Sequence, residues 1–164
     1  PAVSANEDSD ETGIIAAGVS GQGHIYVLED GSQRATPGQW ARTACRMLLK
    51  WRGDRVVAEV NNGGDLVEAN LRSVHPAIPY RSVHASRGKA VRAEPVSALY
   101  EQGRVHHVGV MGNLETQLCG WVPGVTDKSP DRMDALVWAI WDLVIEPAES
   151  GLVMIDSHYE ISPI

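Results

Sequence analysis

Apolar positions fall along the chain in short runs broken by glycine and polar clusters, with helical spacing in the longer stretches. Ile14–Val19 and His24–Glu29 are strand-like runs joined by the Gly/Ser-rich SGQG, which predicts an antiparallel hairpin. TPGQWARTACRMLLKWRGD then sets Trp40, Ala44, Met47, Leu48 and Trp51 at helical spacing, with Thr36 placed to cap the helix, Pro37 at its first position and Gly53 to stop it. RVVAEVNNGGD reads as a short buried strand ending in a glycine turn, and LVEANLRSV as a helix that ends before His75-Pro76. PYRSVHAS predicts a further strand, GKAVRAEPVSALYEQG a loop entering a helix, RVHHVG a short strand and NLETQLCGWV a short helix. PGVTDKSP is a loop, and residues 131–145 make the last long helix, ended by Glu146-Pro147. A hairpin followed by strand–helix alternation predicts an α/β fold with a mixed sheet.

The chain's 164 residues suffice for one domain with a real core and hardly for two, so residues 1–164 are expected to form one unit, with 147–164 as a C-terminal tail. A content of 43% apolar and 21% charged residues, with five Trp, fits a globular protein rather than a disordered one. No apolar run approaches the roughly 20 residues needed to cross a bilayer, and no leader precedes a cleavage site, so a soluble, cytoplasmic protein is expected, with no membrane partner. The opening PAVSANEDSDETG is polar and acidic and begins without Met, as a loop of a fragment or processed product would. Cys45 and Cys119 lack CxxC or Cys/His metal spacing, so two buried thiols are expected rather than a disulfide or a zinc site. His106 and His107 are adjacent in a strand and must face opposite sides, which suits packing or surface roles better than a shared metal.

The net charge of −7 argues at first against a nucleic-acid partner. Its distribution softens that objection: residues 1–12 carry four acids and no base, residues 130–164 carry seven acids and one base, and residues 13–129 are left with a net charge of +3. Acid at the ends and base in the middle suits carboxylates marking a metal site beside a basic track.

Three groups carry candidate chemistry. Glu59 interrupts the apolar run VVAEV; either it points to a wet face, or it is a buried carboxylate that requires a cation or donors. Asp131 and Asp134, spaced i, i+3, share one face of the final helix. Acids in a first turn favour the positive end of the helix dipole, with Ser129 as a cap and Pro130 at the first position, so they need no further reason to be there. The strongly apolar Leu136, Val137, Trp138, Ile140 and Trp141 nevertheless pack this helix on most sides and bring its acidic entrance to the sheet edge. Gathered carboxylates repel unless divalent cations lie between them, and hard oxygen ligands suit Mg²⁺ or Mn²⁺. Arg87, Lys89 and Arg92, in SRGKAVR, form either a solvated basic loop or a phosphate-binding one in which Lys89 holds the scissile strand.

AEVNNGGDLV, SRGKAVRAEPVSALYEQGRVHHVG, LETQLCGW and SPDRMDALVWA, in this order and spacing, resemble the C-terminal nuclease domain of phage and prophage terminase large subunits, including those of gene transfer agents. The resemblance runs from Pro1 to about Leu143. It implies an RNase H-like fold, a central mixed β-sheet flanked by helices, and a site of two Mg²⁺ or Mn²⁺ ions that cuts concatemeric double-stranded DNA. On it, Glu59 resembles the acidic ligand on the strand beside the first and Asp131 the acid on the closing helix. Asp134 is similar to the neighbouring acid that holds metal or orients it. In the family an aspartate at the end of the first strand is followed at once by Pro-Ala; here Pro1-Ala2 begin the chain, so that strand and its ligand are expected upstream.

The implied activity is an endonuclease largely without sequence specificity. Its implied partners are double-stranded DNA, an N-terminal ATPase domain of the parent protein, the procapsid portal and a small terminase subunit. No GxxxxGK[ST] occurs in this chain, which is therefore not itself the motor. The competing readings are a non-catalytic DNA-binding or assembly module on the same fold, and another RNase H-like nuclease such as a junction resolvase or a ribonuclease.

Overall fold

A computed structural model describes residues 11–60, 64–125 and 130–146. The expectations for the acidic opening up to residue 10, for Ser129 as a cap and for the 147–164 tail lie outside these residues. In chain order the elements are β1 (Ile15–Val19), β2 (Ile25–Asp30), α1 (Pro37–Lys50), β3 (Val56–Glu59), α2 (Gly64–Val74), β4 (Tyr80–Val83), α3 (Lys89–Glu101), β5 (Val105–His107), α4 (Gly112–Gly120) and α5 (Asp131–Ile140), which runs into a π-helical turn, Trp141–Ile145. Each predicted element is present and of the predicted type. The last helix departs from the expectation only beyond Ile140, where the α-helical ladder gives way to the wider turn.

The strands form two sheets. β1 pairs antiparallel with β2, with a register shift between Ala16 and Ala17 that skips Leu28, and β5 adds parallel to β2, so this sheet is mixed. β3 and β4 pair parallel, from Val56 opposite Tyr80 to Glu59 opposite Val83. Among the described residues no ladder joins β1 to β3; the mixed α/β character is divided between two sheets.

Two cores explain how the pieces hold together. Ile25, Val27 and Val105 on the inner face of the first sheet pack with Val96 of α3, Leu114 of α4 and Leu136, Val137 and Ile140 of α5. The second core gathers Trp40, Ala41 and Cys45 of α1, Leu71 of α2 and Ile78, with Ile14, Val56 and Tyr80 packed against them. Ile14 and Ile15, consecutive in an extended chain, go to different cores, as strand alternation requires, so the cores lie on opposite sides of the hairpin. Leu136 and Ile140, one turn apart and fully buried, contribute roughly 1.5–3 kcal/mol each. They fix which way α5 faces.

α1 begins as predicted, with Pro37 in its first turn and the Thr36 N–H donating to Gln39 Oε1 at 2.9 Å. Its buried face is turned slightly from the expected one, toward Ala41 and Cys45 rather than Ala44. The expectation of two buried thiols holds for Cys45 and fails for Cys119, which is exposed. α4 directs Leu114 and Leu118 into the core, and the next residue, at the helix end, turns away. No described helix is long and apolar enough to cross a membrane.

Candidate active site

Glu59 ends β3 and Asp131 begins α5, so two element termini carry the predicted acids. The Glu59 side chain is 21% exposed, neither wet nor sealed, and its Oε1 lies 3.9 Å from Arg92 Nη2. Asp134, one turn into α5 and 13% exposed, places Oδ1 3.1 Å from the same nitrogen. Residues 75 positions apart thus meet on one guanidinium, and the two contacts bound Glu59 Oε1 and Asp134 Oδ1 to within about 7 Å of each other. The acid brought to Glu59 in this way is Asp134. Asp131 lies one turn earlier, with its carbonyl packed against Gly13.

The start of α5 is held from three directions. Its first-turn amides need acceptors, and Gln117 of α4 supplies one: Arg132 N and Met133 N donate to Gln117 Oε1 at 3.0 and 3.2 Å. Arg132 turns inward, donating to Asp30 Oδ2 at 2.6 Å and to Glu11, which ties the helix to the end of β2. On the third side, Gly13 allows the backbone before β1 to lie directly against Asp131. At the far end, Asp142 in the π-helical turn is buried and accepts from Arg55, just before β3, at 2.8 Å, and from Arg81 of β4.

Arg92 does not project from the surface beside Arg87 and Lys89. It is 4% exposed. Its Nη1 donates to the Arg87 carbonyl, its guanidinium lies 4.7 Å from the centre of the Trp138 ring, and its own carbonyl accepts from Trp141 Nε1 at 2.8 Å. A buried charge needs partners, and here they are Asp134 and Glu59. Nε of Arg92 and Nε1 of Trp138 are buried without a hydrogen-bond partner. Arg87 is exposed on the loop before α3, and Lys89, 38% exposed, lies 3.3 Å from Asp134 Oδ2. Both Asp134 oxygens therefore face a cation. Among the described residues, no group of three or more His, Cys, Asp or Glu side chains is gathered closely enough to hold a metal ion.

The inward course of Arg92 has a sequence signal. Arg92, Val96 and Leu99 follow at i, i+4 and i+7, and Val96 and Leu99 belong to the first core, so the arginine shares their face. Gln117, Trp138 and Arg132 have no such mark, because their partners are far away in the chain.

The two adjacent histidines face opposite ways, as strand alternation demands. His106 Nε2 and His24 Nδ1 share a hydrogen bond of 2.8 Å, with Tyr26 stacked on the His106 ring. His107 bridges Tyr100 at 2.8 Å and Glu115 at 3.1 Å. That chain has the outline of a catalytic relay, but burial, together with the charge of Glu115, pushes the Tyr100 hydroxyl upward. It stays protonated and serves to tie β5 to α3 and α4.

A family profile described as the terminase RNaseH-like domain matches residues 1–143, a span that takes in Glu59, Lys89, Arg92, Asp131 and Asp134. No curated protein matches the chain. With two sheets and five α-helices in α/β order among the described residues, and acids from a strand end and a closing helix drawn to one place, the chain belongs to the terminase RNase H-like domain family, as a nuclease-type module.

Proposed function

We propose that the chain is the endonuclease module of a DNA-packaging terminase, hydrolysing phosphodiester bonds of concatemeric double-stranded DNA with little regard to sequence. The observation that carries this reading is the meeting of Glu59 and Asp134, from separate elements, on one buried cation. Acids converging from separate elements onto one buried charge are the arrangement expected where carboxylates serve chemistry as well as holding the fold.

Carboxylate oxygens are the right donors for Mg²⁺ or Mn²⁺, and Glu59 and Asp131 are the residues we assign to hold it. Such an ion would supply Lewis acidity to the scissile phosphate and lower the pKa of an attacking water. Asp134 orients the neighbouring groups. Arg87 and Lys89, on the open side of α3, meet the DNA backbone as charges that neutralise phosphate without reading bases, which fits the absence of sequence preference. The partners in this reading are the ATPase domain of the parent protein, the portal and the small terminase subunit, in the host cytoplasm at the procapsid.

Relaxation of supercoiled plasmid in Mn²⁺ tests the reading. The wild-type chain should nick, and Glu59→Ala and Asp131→Ala should each lose at least about 100-fold, the scale on which charge-stabilising groups act in catalysis. Equal nicking by all three proteins sinks it, because the activity then comes from a contaminant. Preference for branched DNA or for an RNA–DNA hybrid over plasmid would instead point to a resolvase or a ribonuclease.

A further inference from the structure

We propose that the outward face of α1 is a second contact for the phosphate backbone of DNA, so that the duplex continues from the acidic site past the end of β2 onto this helix. The inference rests on the reading above for the identity of the anion alone, and it holds equally for a non-catalytic DNA-binding module. Its starting point is a stretch of one sign in an acidic chain. Gly31 to Gly53 contain five bases, Arg34, Arg42, Arg46, Lys50 and Arg52, and no acid, against a net charge of −7 for the whole.

Helical spacing turns that stretch into a surface. α1 buries Trp40, Ala41, Cys45 and Met47, which leaves Arg42, Arg46 and Lys50, at i, i+4 and i+8, exposed along one face. Eight residues of helix span about 12 Å, and a DNA strand presents a phosphate about every 3.4 Å along its axis, so the stripe faces about three or four phosphates. At its start an open cleft of about 280 Å³ is lined by Arg34 and Arg42 with Gln33, Ala35, Gln39 and Thr43. Among the described residues neither of these arginines is paired with a carboxylate. A guanidinium offers a fork of donors that matches phosphate, and it does so without reading bases.

The acid that the stripe does meet lies in β2 and fixes its place relative to the site. The skipped Leu28 reverses the strand's alternation, so Glu29 leaves the face of Ile25 and Val27 and turns to α1, while Asp30 turns to α5. Glu29 accepts from Arg46 at 3.0 Å and from Lys50 and Trp51 Nε1 at 2.7 Å, which holds both cations at the end of the strand. Asp30 accepts from Arg132 and so anchors the acidic helix. Consecutive residues thus tie the basic stripe and the start of α5 to one strand end. Arg34, Arg42, Arg46 and Lys50 set against Glu29 leave three net positive charges, and the side chains of Arg46 and Lys50 stay half exposed for an anion to meet.

Fluorescence anisotropy of a short labelled duplex with the whole chain, in EDTA and over a range of salt concentrations, tests this apart from cleavage. Each lost phosphate contact lowers the slope of log K against log salt by about 0.9, so Arg34→Gln/Arg42→Gln should lower it by about 1.8; where binding at about 1 M salt is unchanged, that is about a 60-fold loss of affinity at about 0.1 M. Arg34→Lys/Arg42→Lys keeps the charge and should keep the wild-type slope. Arg72→Gln, which removes a charge of α2 that pairs with Glu68, should keep it too. An unchanged slope in the glutamine pair overturns the inference, whether the arginines face water or an acidic protein, as does an equal drop in Arg72→Gln or in the lysine pair, or no duplex binding by the wild type. Displacement of the duplex by inorganic phosphate or ATP at constant ionic strength also overturns it, since the cleft would then hold a free phosphate group. In each of these cases plasmid nicking by the wild type leaves the nuclease reading standing. A lowered slope without any nicking by the wild type supports the DNA contact and removes the nuclease reading.

Discussion

Gly13 offers the most direct test of how the acidic helix is seated. A Cβ built there would lie 2.0 Å from the Asp131 carbonyl oxygen, 2.7 Å from its carbon and 3.0 Å from Ala135 Cβ. Ordinary contact begins near 3.4 Å, so Gly13→Ala requires the two segments to part by about 1.4 Å. Neither can yield cheaply. Thr12 is bridged to Gln33 in both directions at 2.9 and 3.1 Å, and Ile14 N donates to Ser32 Oγ at 2.9 Å. On the other side, α5 is fixed by fully buried Leu136 and Ile140.

The destabilisation should reach the top of the range for overpacked interiors, about 3 kcal/mol. At about 2–4 °C per kcal/mol for a chain of this size, the unfolding midpoint should fall by about 6–12 °C. Gly21→Ala is the control: nothing lies within 4 Å of its added methyl, and it removes the same freedom from the unfolded chain, a common gain of about 0.4–1 kcal/mol that cancels in the comparison. Plasmid nicking should fall about 100-fold in Gly13→Ala, because a shift of about 1 Å in catalytic groups has that effect. Thermal unfolding of both variants decides it. A Gly13→Ala midpoint within 2 °C of Gly21→Ala would refute the seating of α5 argued above.

Two further outcomes follow from ion pairs outside the site. Asp142→Asn leaves Arg55 and Arg81 facing a neutral amide; both reach water, so urea unfolding should show a loss of about 2–3 kcal/mol, at or below the low end for a broken buried pair, and a loss under about 0.5 kcal/mol would mean the pair is ornamental. Glu29 is held at about 2 by donation from Lys50, with Trp51 and Arg46 adding to it against the opposing effect of burial. A carboxylate depressed in this way stabilises the fold fully above its ordinary value of 4.5 and loses that contribution as pH falls toward about 2, so Glu29→Gln should be less stable than wild type at pH 7 and converge with it below about pH 2. Parallel stability curves for the two proteins between pH 7 and pH 2 would contradict the assignment.

The elements were readable because each carries a local mark. Thr36-Pro37 with Gln39 starts α1, SGQG turns the hairpin, and alternation in Ile25, Tyr26 and Val27 sets one face in and one out. Glu59 was legible as an acid out of place in an apolar strand. What local pattern does not contain is pairing across distance. Arg132 and Asp30 are 102 positions apart and Arg55 and Asp142 are 87 apart, and each looks like an ordinary surface charge until the fold pairs it. Arg92 differs from these: its charge suggests solvent and phosphate, but its helical face, shared with Val96 and Leu99, is a local mark that directs it to the core. The end of the α-helical ladder at Ile140 has no sequence signature, since neither proline nor glycine marks it.

These long-range pairs also explain how the site keeps its geometry. Glu59 belongs to the β3–β4 sheet, whereas the tether at the start of α5 runs to the β1–β2–β5 sheet, and among the described residues no backbone ladder connects the two. Their relative position must then be set by what spans them. α5 does so, with the Arg132–Asp30 pair fastening its first turn to one sheet and Asp142, beyond its last turn, fastening Arg55 and Arg81 of the other. Between these anchors, Arg92 joins Glu59 to Asp134 directly. Ion pairs between side chains are directional where packing of aliphatic groups is not, and a one-turn slip of α5 would break all three at once. The charges that look least connected with chemistry, Arg132 and Asp142, are thus what hold the acids of the site at a fixed separation.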